Sequence, residues 1–335
     1  MKHVVAIPTL NRPDDLSRTL KTIYSNKKLP DLLIIVDQSD DNKTRDIIKP
    51  LEAKYSIKYI RSDKKGLTHA RNIAIENSLD FDIITFLDDD VDLEKDFLSE
   101  IENTYISYPE ISGCQGFIKN TGGKLLRRSV LKIRKILSDN RLEYFKPPTI
   151  NEYFLNSYPL FVKKNNILPC EWLSGCDMSY KINDIRDERF NEDFILYGMV
   201  DDVEFSYRLF SHGKKLVMNT NAKLVHRLSK TSRLPSTISL VMRLAYFRFL
   251  ISEYRKDNVE ELYYKYVNHI RDGFKNVHFK FLRKERIKKI TAIVDDAIRK
   301  VEPFLQDIDK GNLRPINEFI ISELSKIDSR DQVSK

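Results

Sequence analysis

Phe86-Leu87-Asp88-Asp89-Asp90-Val91 sets three consecutive carboxylates directly behind the apolar run Ile83 to Leu87. The run has the length and composition of a strand buried on both faces. Adjacent carboxylates repel, so the triplet is costly unless a cation or several hydrogen-bond donors neutralise it. Hard divalent cations take oxygen ligands, and two carboxylates one residue apart suit Mg2+ or Mn2+ bridged to phosphates. An EF-hand loop is excluded: counted from Asp88, the sixth position is Leu93 rather than Gly and the twelfth is Ser99 rather than Glu. The competing reading is a hydrated acidic turn ahead of a helix, with Asp92 or Glu94 near the helix start. On this segment alone the two readings balance.

Upstream, strand and helix signals alternate. Val4 to Pro8 is a short β-branched run, Leu32 to Val36 a continuous apolar run, and Ile57 to Ile60 a shorter one. Between them, Pro13 to Asn26 carries Leu16, Leu20 and Ile23 at helical spacing; Lys43 to Tyr55 and Thr68 to Ser78 are further helices. Such repeats with short links predict an α/β fold, a mainly parallel, Rossmann-like sheet flanked by helices. Ligands of these sheets sit beyond the carboxyl ends of the strands. The polar clusters fall there: Thr9-Leu10-Asn11-Arg12, Asp37-Gln38-Ser39-Asp40 and Asp88-Asp89-Asp90. The middle, about Gly113 to Val225, is less regular, with loop signals at Pro147-Pro148 and Lys163 to Asn166. From about Ser236 the pattern is helical to the end.

The 335 residues suffice for one large domain with a smaller attachment, or for two modest domains. No apolar run approaches the ~18–20 residues of a bilayer span, and the opening Met1 to Pro8 reads as a first strand rather than a signal peptide. Cys114, Cys170 and Cys176 are few and odd in number, which argues against a disulfide framework and for a reducing, cytoplasmic setting; they read as packing residues. The net charge of +8 is concentrated: from Arg227 to Lys300 there are 18 Lys and Arg against 8 Asp and Glu, so the rest of the chain is slightly acidic.

Two later features join the triplet. Val203, Tyr207 and Phe210 lie on one helical stripe, which sets Asp201 and Asp202 at a helix start. A carboxylate there either answers the helix dipole or serves as general base toward an attacking hydroxyl. His226 closes the run Ala222 to Val225. Alone it is a structural residue at a strand end, and it becomes a metal ligand only where the fold returns it to Asp88 and Asp90.

In order along the chain, these pieces resemble the family 2 glycosyltransferases of GT-A fold. They are Ile7-Pro8-Thr9-Leu10-Asn11-Arg12, Val36-Asp37-Gln38-Ser39, Gly66-Leu67-Thr68-His69-Ala70-Arg71-Asn72, the Asp-x-Asp segment Asp88 to Asp90, the Gly-x-x-Met segment Gly175 to Met178, the pair Asp201-Asp202, and His226. The resemblance runs over residues 3 to 230, and each piece is short; their shared order carries it. It implies that Asp37 recognises the nucleotide base, that Pro8, Thr9, Asn11 and Arg12 line the same pocket, and that Arg71 and Asn72 brace the pyrophosphate side. Asp88 and Asp90 are the Asp-x-Asp pair, with His226 a further ligand to Mn2+ or Mg2+; Asp88 also faces the nucleotide. Asp202 is the implied catalytic base. The family usually has Glu before it, and Asp201 here leaves open which of the two acts. Trp172, Gly175 and Met178 are set near the transferred sugar or acceptor, and Asp89 is a spectator.

The implied enzyme is an inverting, metal-dependent glycosyltransferase with residues 1–230 as catalytic domain and 231–335 as a basic helical region. Its donor is a UDP- or dTDP-sugar, and its acceptor a glycan or lipid-linked chain, in a setting such as capsule or cell-wall polysaccharide synthesis. The basic region adds its own readings. Ser239 to Tyr254 is apolar-rich yet carries Arg243 and Arg248, with Arg255 just after; Phe274 to Ile290 mixes Phe279, Phe281 and Ile287 with seven Lys and Arg. It is either a helical subdomain with a solvated basic face, a peripheral contact with an anionic inner membrane leaflet, or a surface for homo-oligomer formation. Three other functions compete. A sugar-phosphate nucleotidyltransferase would want a Gly-rich loop after the first strand, where Pro8 to Arg12 has no glycine. A nucleic-acid binder would leave the acidic triplet unexplained, so no nucleic-acid partner is expected. A non-catalytic carbohydrate-binding protein would have no use for an intact acidic pair beside an intact Asp-x-Asp.

Overall fold

The computed structural model describes residues 1–120, 146–229, 231, 234–276 and 284–333; the side chains of the basic stretch 274–290 lie outside the described residues. The chain divides into two compact units, Met1–Thr149 with Asn156–Glu192 and Leu196–Ser232, and Ile150–Leu155 with Asp193–Ile195 and Arg233–Lys335.

The first unit is built on β1 (His3–Thr9), β2 (Leu32–Asp37), β3 (Ile57–Arg61), β4 (Ile83–Phe86), β5 (Val91–Leu93), β6 (Ile111–Ile118), β7 (Ile167–Cys170), β8 (Met178–Lys181) and β9 (Lys215–His226). They form one sheet in the order β3-β2-β1-β4-β8-β6-β9-β5, with β7 also paired to β9. The first four strands are parallel, with Val5 beside Leu33 and Val4 beside Ile84. Beyond β4 the sheet is mixed: β8 is antiparallel to β4 and β6, β6 is parallel to β9, and β5 and β7 are antiparallel to β9.

Strand residues alternate between faces, and this sorts the core into two layers. Val5, Ile7, Leu33 and Ile35 meet Leu16, Leu20 and Ile23 of α1 (Pro13–Tyr24), Ile48 of α2 (Lys43–Glu52), and Phe97 and Ile101 of α4 (Phe97–Ser107). Val4, Ala6, Ile34 and Val36 meet Ala70, Ala74 and Ile75 of α3 (Leu67–Glu76). The same layer takes in Ile182 and Ile185 of α5 (Ile182–Ile185), and Phe205 and Leu209 of α6 (Asp201–Ser211). Strands apolar on both faces are what a helix-covered sheet requires. Each of these Leu and Ile side chains contributes roughly 1.5–3 kcal/mol by leaving water.

One expectation is replaced. Val91 and Leu93 are buried and Asp92 is not, the period of a strand, and α4 starts only at Phe97. Asp92 and Glu94 therefore belong to a strand and its exit rather than a helix start. The cysteines are buried and free; burial pushes the Cys114 thiol up to about 12, which keeps it unreactive.

The second unit is helical: α7 (Ser236–Tyr254), α8 (Val259–Asn276), α9 (Lys284–Val301), α10 (Leu305–Asp309) and α11 (Arg314–Val333). Helix α7 buries Leu240, Leu244, Phe247 and Ile251 and also Val241, Ala245 and Leu250, so it is apolar on nearly every side and forms this unit's centre. Its arginines are absorbed by packing. Arg248 is buried, bonded to Asp309 and Glu260 at 2.5 Å each, above the Tyr263 ring. Arg243 donates to the Tyr266 hydroxyl at 3.1 Å, and Arg255 lies over Phe154. None of the three builds a solvated basic face. No helix among the described residues is long and apolar enough to cross a membrane.

Candidate active site

Strand β4 ends at Phe86, and β5 runs antiparallel to the end of β9 with Val91 opposite His226. That pairing returns His226 to the acidic triplet. Ligand atoms of Asp88, Asp90 and His226 lie within 4.8 Å of one another. The imidazole Nε2 stands 2.9 Å from Asp90 Oδ1 and 3.7 Å from Asp88 Oδ2. The Ser229 amide donates to Asp90 Oδ2 at 2.7 Å, while the buried Asp90 Oδ1 has no aligned hydrogen-bond donor. Two carboxylates and an imidazole around one point, with a buried oxygen left over, fit a hard divalent cation. Burial alone would raise the Asp90 carboxyl, but the facing imidazole and the Ser229 amide bring it down to about 2, so it is anionic at neutral pH.

Asp89, in the turn after β4, faces the other way. It accepts from Thr9 Oγ1 at 2.7 Å and Arg12 Nη1 at 3.2 Å. Burial lifts its carboxyl to about 7 against the pull of Arg12 and Thr9. It is thus a tie between the triplet and the end of β1. Arg227, passed over in the sequence, fixes the same turn. It donates to the Val91 and Asp15 carbonyls at 2.9 and 2.8 Å, to Thr19 Oγ1 at 3.0 Å, to the Asp89 carbonyl at 3.2 Å and to the Asp92 carboxylate. Its position next to His226 was the only signal available.

The acidic pair opens α6. The loop ahead of it has left-handed backbone at Leu196, Gly198 and Met199, with φ of 59°, 68° and 53°, a strain of about 1–3 kcal/mol at each non-glycine position. A Cβ at Gly198 would meet Asp201 Cγ and Oδ1 at 2.7 Å, so only glycine fits. The Leu67 amide, at the start of α3, donates to the Leu196 carbonyl at 2.9 Å and seats the loop. One turn on, Arg71 donates to the Asp201 carboxylate and, at 2.9 Å, to the Gly175 carbonyl; its Nη2 is 3.7 Å from Asp88 Oδ1. The Gly175 amide donates to Asp202 Oδ2 at 2.8 Å, and the Val203 amide to Asp202 Oδ1 at 2.9 Å. Burial and then the Asp201 charge raise the Asp202 carboxyl to about 6. Asp201 is buried in its ion pair, and Asp202 is the half-buried member. Of the two, Asp202 has the access and the proton affinity of a base working near neutral pH.

The remaining predicted residues separate into rim and interior. Pro8 and Thr9 end β1 in the buried core of the sheet. Asn11, left-handed at φ 56°, exchanges hydrogen bonds with Asp40 at 2.8 and 2.9 Å. Arg12 also donates to the Thr231 carbonyl at 2.8 Å. Asp37 is buried: Oδ1 accepts from the Ser39 amide at 2.9 Å, and Oδ2 from Tyr59 at 2.7 Å and Arg61 at 3.2 Å. These side chains surround the carboxyl ends of β1 and β2. Arg71 and Asn72 point inward instead. Asn72 bonds both polar atoms of the Phe190 backbone, and Glu192, at 2.8–3.1 Å. Trp172 is 5% exposed, with Nε1 on the Ser157 carbonyl at 3.0 Å, and Met178 is fully buried in β8. Of Trp172, Gly175 and Met178, Gly175 is the one that touches the acidic pair.

Residues 4–164 match the family described as glycosyl transferase family 2. Among solved structures the chain is similar to the mannosyltransferase PcManGT from Pyrobaculum calidifontis, in complex with GDP-Man and Mn2+. The TM-score is 0.54 at 13% identity, over 90% of this chain and 75% of that one. It is similar to GalNAc-T7 with UDP, GalNAc and Mn2+ at TM-score 0.60 and 13% identity, over 93% of this chain and 58% of that one. Residues 1–349 of S. aureus TarS give TM-score 0.53 and 16% identity, over 98% of this chain and 92% of that one. At such identities the likeness is one of fold. No curated protein sequence matches the chain significantly.

Proposed function

We propose that this chain, a glycosyltransferase of family 2 through its residues 4–164, is an inverting enzyme. It moves a sugar from a UDP- or dTDP-sugar to a glycan or lipid-linked acceptor in polysaccharide synthesis. The observation that carries the reading is the meeting of Asp88, Asp90 and His226 within 4.8 Å, joined through Arg71 to the pair Asp201-Asp202. Mn2+ or Mg2+ held by those three side chains would supply positive charge for the departing diphosphate. The protein's own residues do the rest. Asp202 takes the proton of the acceptor hydroxyl at Oδ1 or Oδ2 as the oxygen attacks the anomeric carbon. Asp201 is tied up in its buried pair with Arg71, which leaves Asp202 to take the proton. The rim of Thr9, Asn11, Arg12 and Asp37 receives the nucleotide. A single displacement of this kind inverts the anomeric configuration.

Residues 1–230 would form the catalytic part and 231–335 an attached helical part with peripheral contact to an anionic membrane surface or to a second copy. Co-sedimentation with anionic vesicles at low salt tests the membrane contact, and its absence there removes it. The test of the reaction is Asp202→Asn: transfer is lost by about 100-fold or more while nucleotide binding is retained. Full turnover in that variant puts the base elsewhere.

A further inference from the structure

Arg71 is 1% exposed and lies among three acids. It pairs with Asp201, approaches Asp88 to 3.7 Å, and through the Gly175 peptide reaches Asp202: the Gly175 carbonyl accepts from Arg71 and the Gly175 amide donates to Asp202. Its inner edge is different, for Nε is buried without a hydrogen-bond partner, and the Phe190 ring lies 5.5 Å below. The guanidinium is therefore anchored by its two terminal nitrogens alone, both on the acidic side. A brace on a pyrophosphate needs a cation that reaches the ligand, and Arg71 spends both of those nitrogens behind the site.

We propose that Arg71 is a positioning residue shared between the two acidic poles, competing with the divalent cation for Asp88 while fixing Asp202 through the Gly175 peptide. The inference rests on the metal reading of Asp88, Asp90 and His226 given above. Its physics is a charge count. One buried cation serves Asp88, Asp201 and Asp202. Removing it leaves Asp88 more attractive to a divalent ion, and frees the Gly175 turn from the side that holds it. Removing the charge of Asp201 has the opposite effect on the metal: the guanidinium loses its nearest anion and turns toward Asp88. A buried ion pair remote from the metal would destabilise the fold when broken from either end and leave Mn2+ affinity where it was.

The experiment is a Mn2+ titration of the purified chain without donor or acceptor, read by the electron paramagnetic resonance of free Mn2+. It is run beside kcat and KM for donor turnover and a circular-dichroism melt. Arg71→Met is expected to tighten Mn2+ binding about tenfold while kcat falls about 100-fold and donor KM changes little. Asp201→Asn, which keeps the side-chain shape, is expected to weaken Mn2+ binding about tenfold. Shifts of the same sign in both variants, or unchanged affinity in folded variants of a Mn2+-binding wild type, overturn the shared-cation role and leave the metal site standing. A wild-type chain that binds no Mn2+ overturns both. If Arg71→Met does not fold, Asp201→Asn decides: weakened binding supports the role, and equal or tighter binding ends it.

Discussion

Gly175→Ala adds one methyl group where the acidic pair and its cation meet. The new Cβ would stand 2.9 Å from Arg71 Nη2 and 3.2 Å from Asp202 Cβ and Oδ2. Reaching an ordinary contact of 3.4 Å requires the guanidinium to retreat about 0.5 Å and the Asp202 carboxylate about 0.2 Å. Arg71 has little freedom to do so, held between Asp201 and the Phe190 ring. Overpacking of this kind costs about 1–3 kcal/mol. A 1 Å misplacement of a reacting group costs on the order of 100-fold in rate, so half that displacement predicts a loss of about tenfold in kcat. The backbone amide and carbonyl that hold Asp202 and Arg71 survive the change, which separates a shift of position from a loss of hydrogen bonds. The assay is the initial rate of nucleoside diphosphate release at saturating donor, beside a thermal melt. A melting temperature lower by roughly 2–6 °C with a tenfold lower kcat is the expected pair. Wild-type kcat and wild-type stability would refute the close contact on which the reasoning depends.

Other perturbations reach separate parts of the account. The kcat/KM for transfer should rise with pH through about 6 and then level, because Asp202 acts deprotonated and burial with the Asp201 charge raises its carboxyl to that value; a flat profile down to pH 5 contradicts this. Asp90→Asn and His226→Ala should each weaken Mn2+ binding by about tenfold or more, since loss of even an outer partner costs that much; an unchanged titration removes the residue from the site. His3 is fully buried, bonded to Thr85 at 2.7 Å, and burial holds its imidazole down at about 4. Its folded value lies below the ordinary 6.5, so the stability it lends is complete above pH 6.5 and is lost as pH falls toward 4, to about 3 kcal/mol. His3→Gln should flatten that acid limb in urea unfolding; parallel limbs in the variant and wild type refute it.

The first four strands were legible because each is a short apolar run between helical spacings, and a parallel sheet buries both faces of its strands. The observed β1, β2, β3 and β4 lie within a residue or so of those runs. Strands β5, β7 and β8 were not legible. They are three or four residues long, too short for a period to show, and their pairing with β9, β6 and β4 is a tertiary fact. The triplet told its story in part: two carboxylates one residue apart pointed to a shared cation, but that Asp89 ties β1 through Thr9 and Arg12 depends on strand order. His226 was placed conditionally, and the β5–β9 pairing met the condition. The resemblance set Arg71 and Asn72 on the pyrophosphate side of the site and gave no hint of their burial. Their burial follows from Asp201, Gly175 and Phe190, more than 100 residues away in sequence, which no local pattern reveals. Trp172 and Met178 were expected near the transferred sugar or acceptor, and the fold buries both side chains.

The central claim is metal-dependent transfer from a nucleotide-sugar at this site. It is tested most directly by offering the purified chain a panel of UDP- and dTDP-sugars with Mn2+ or Mg2+, and measuring nucleoside diphosphate release with and without EDTA. The account predicts release from one donor, abolished by EDTA and restored by added metal. No release from any donor, together with nucleotide binding that ignores the metal, would contradict it.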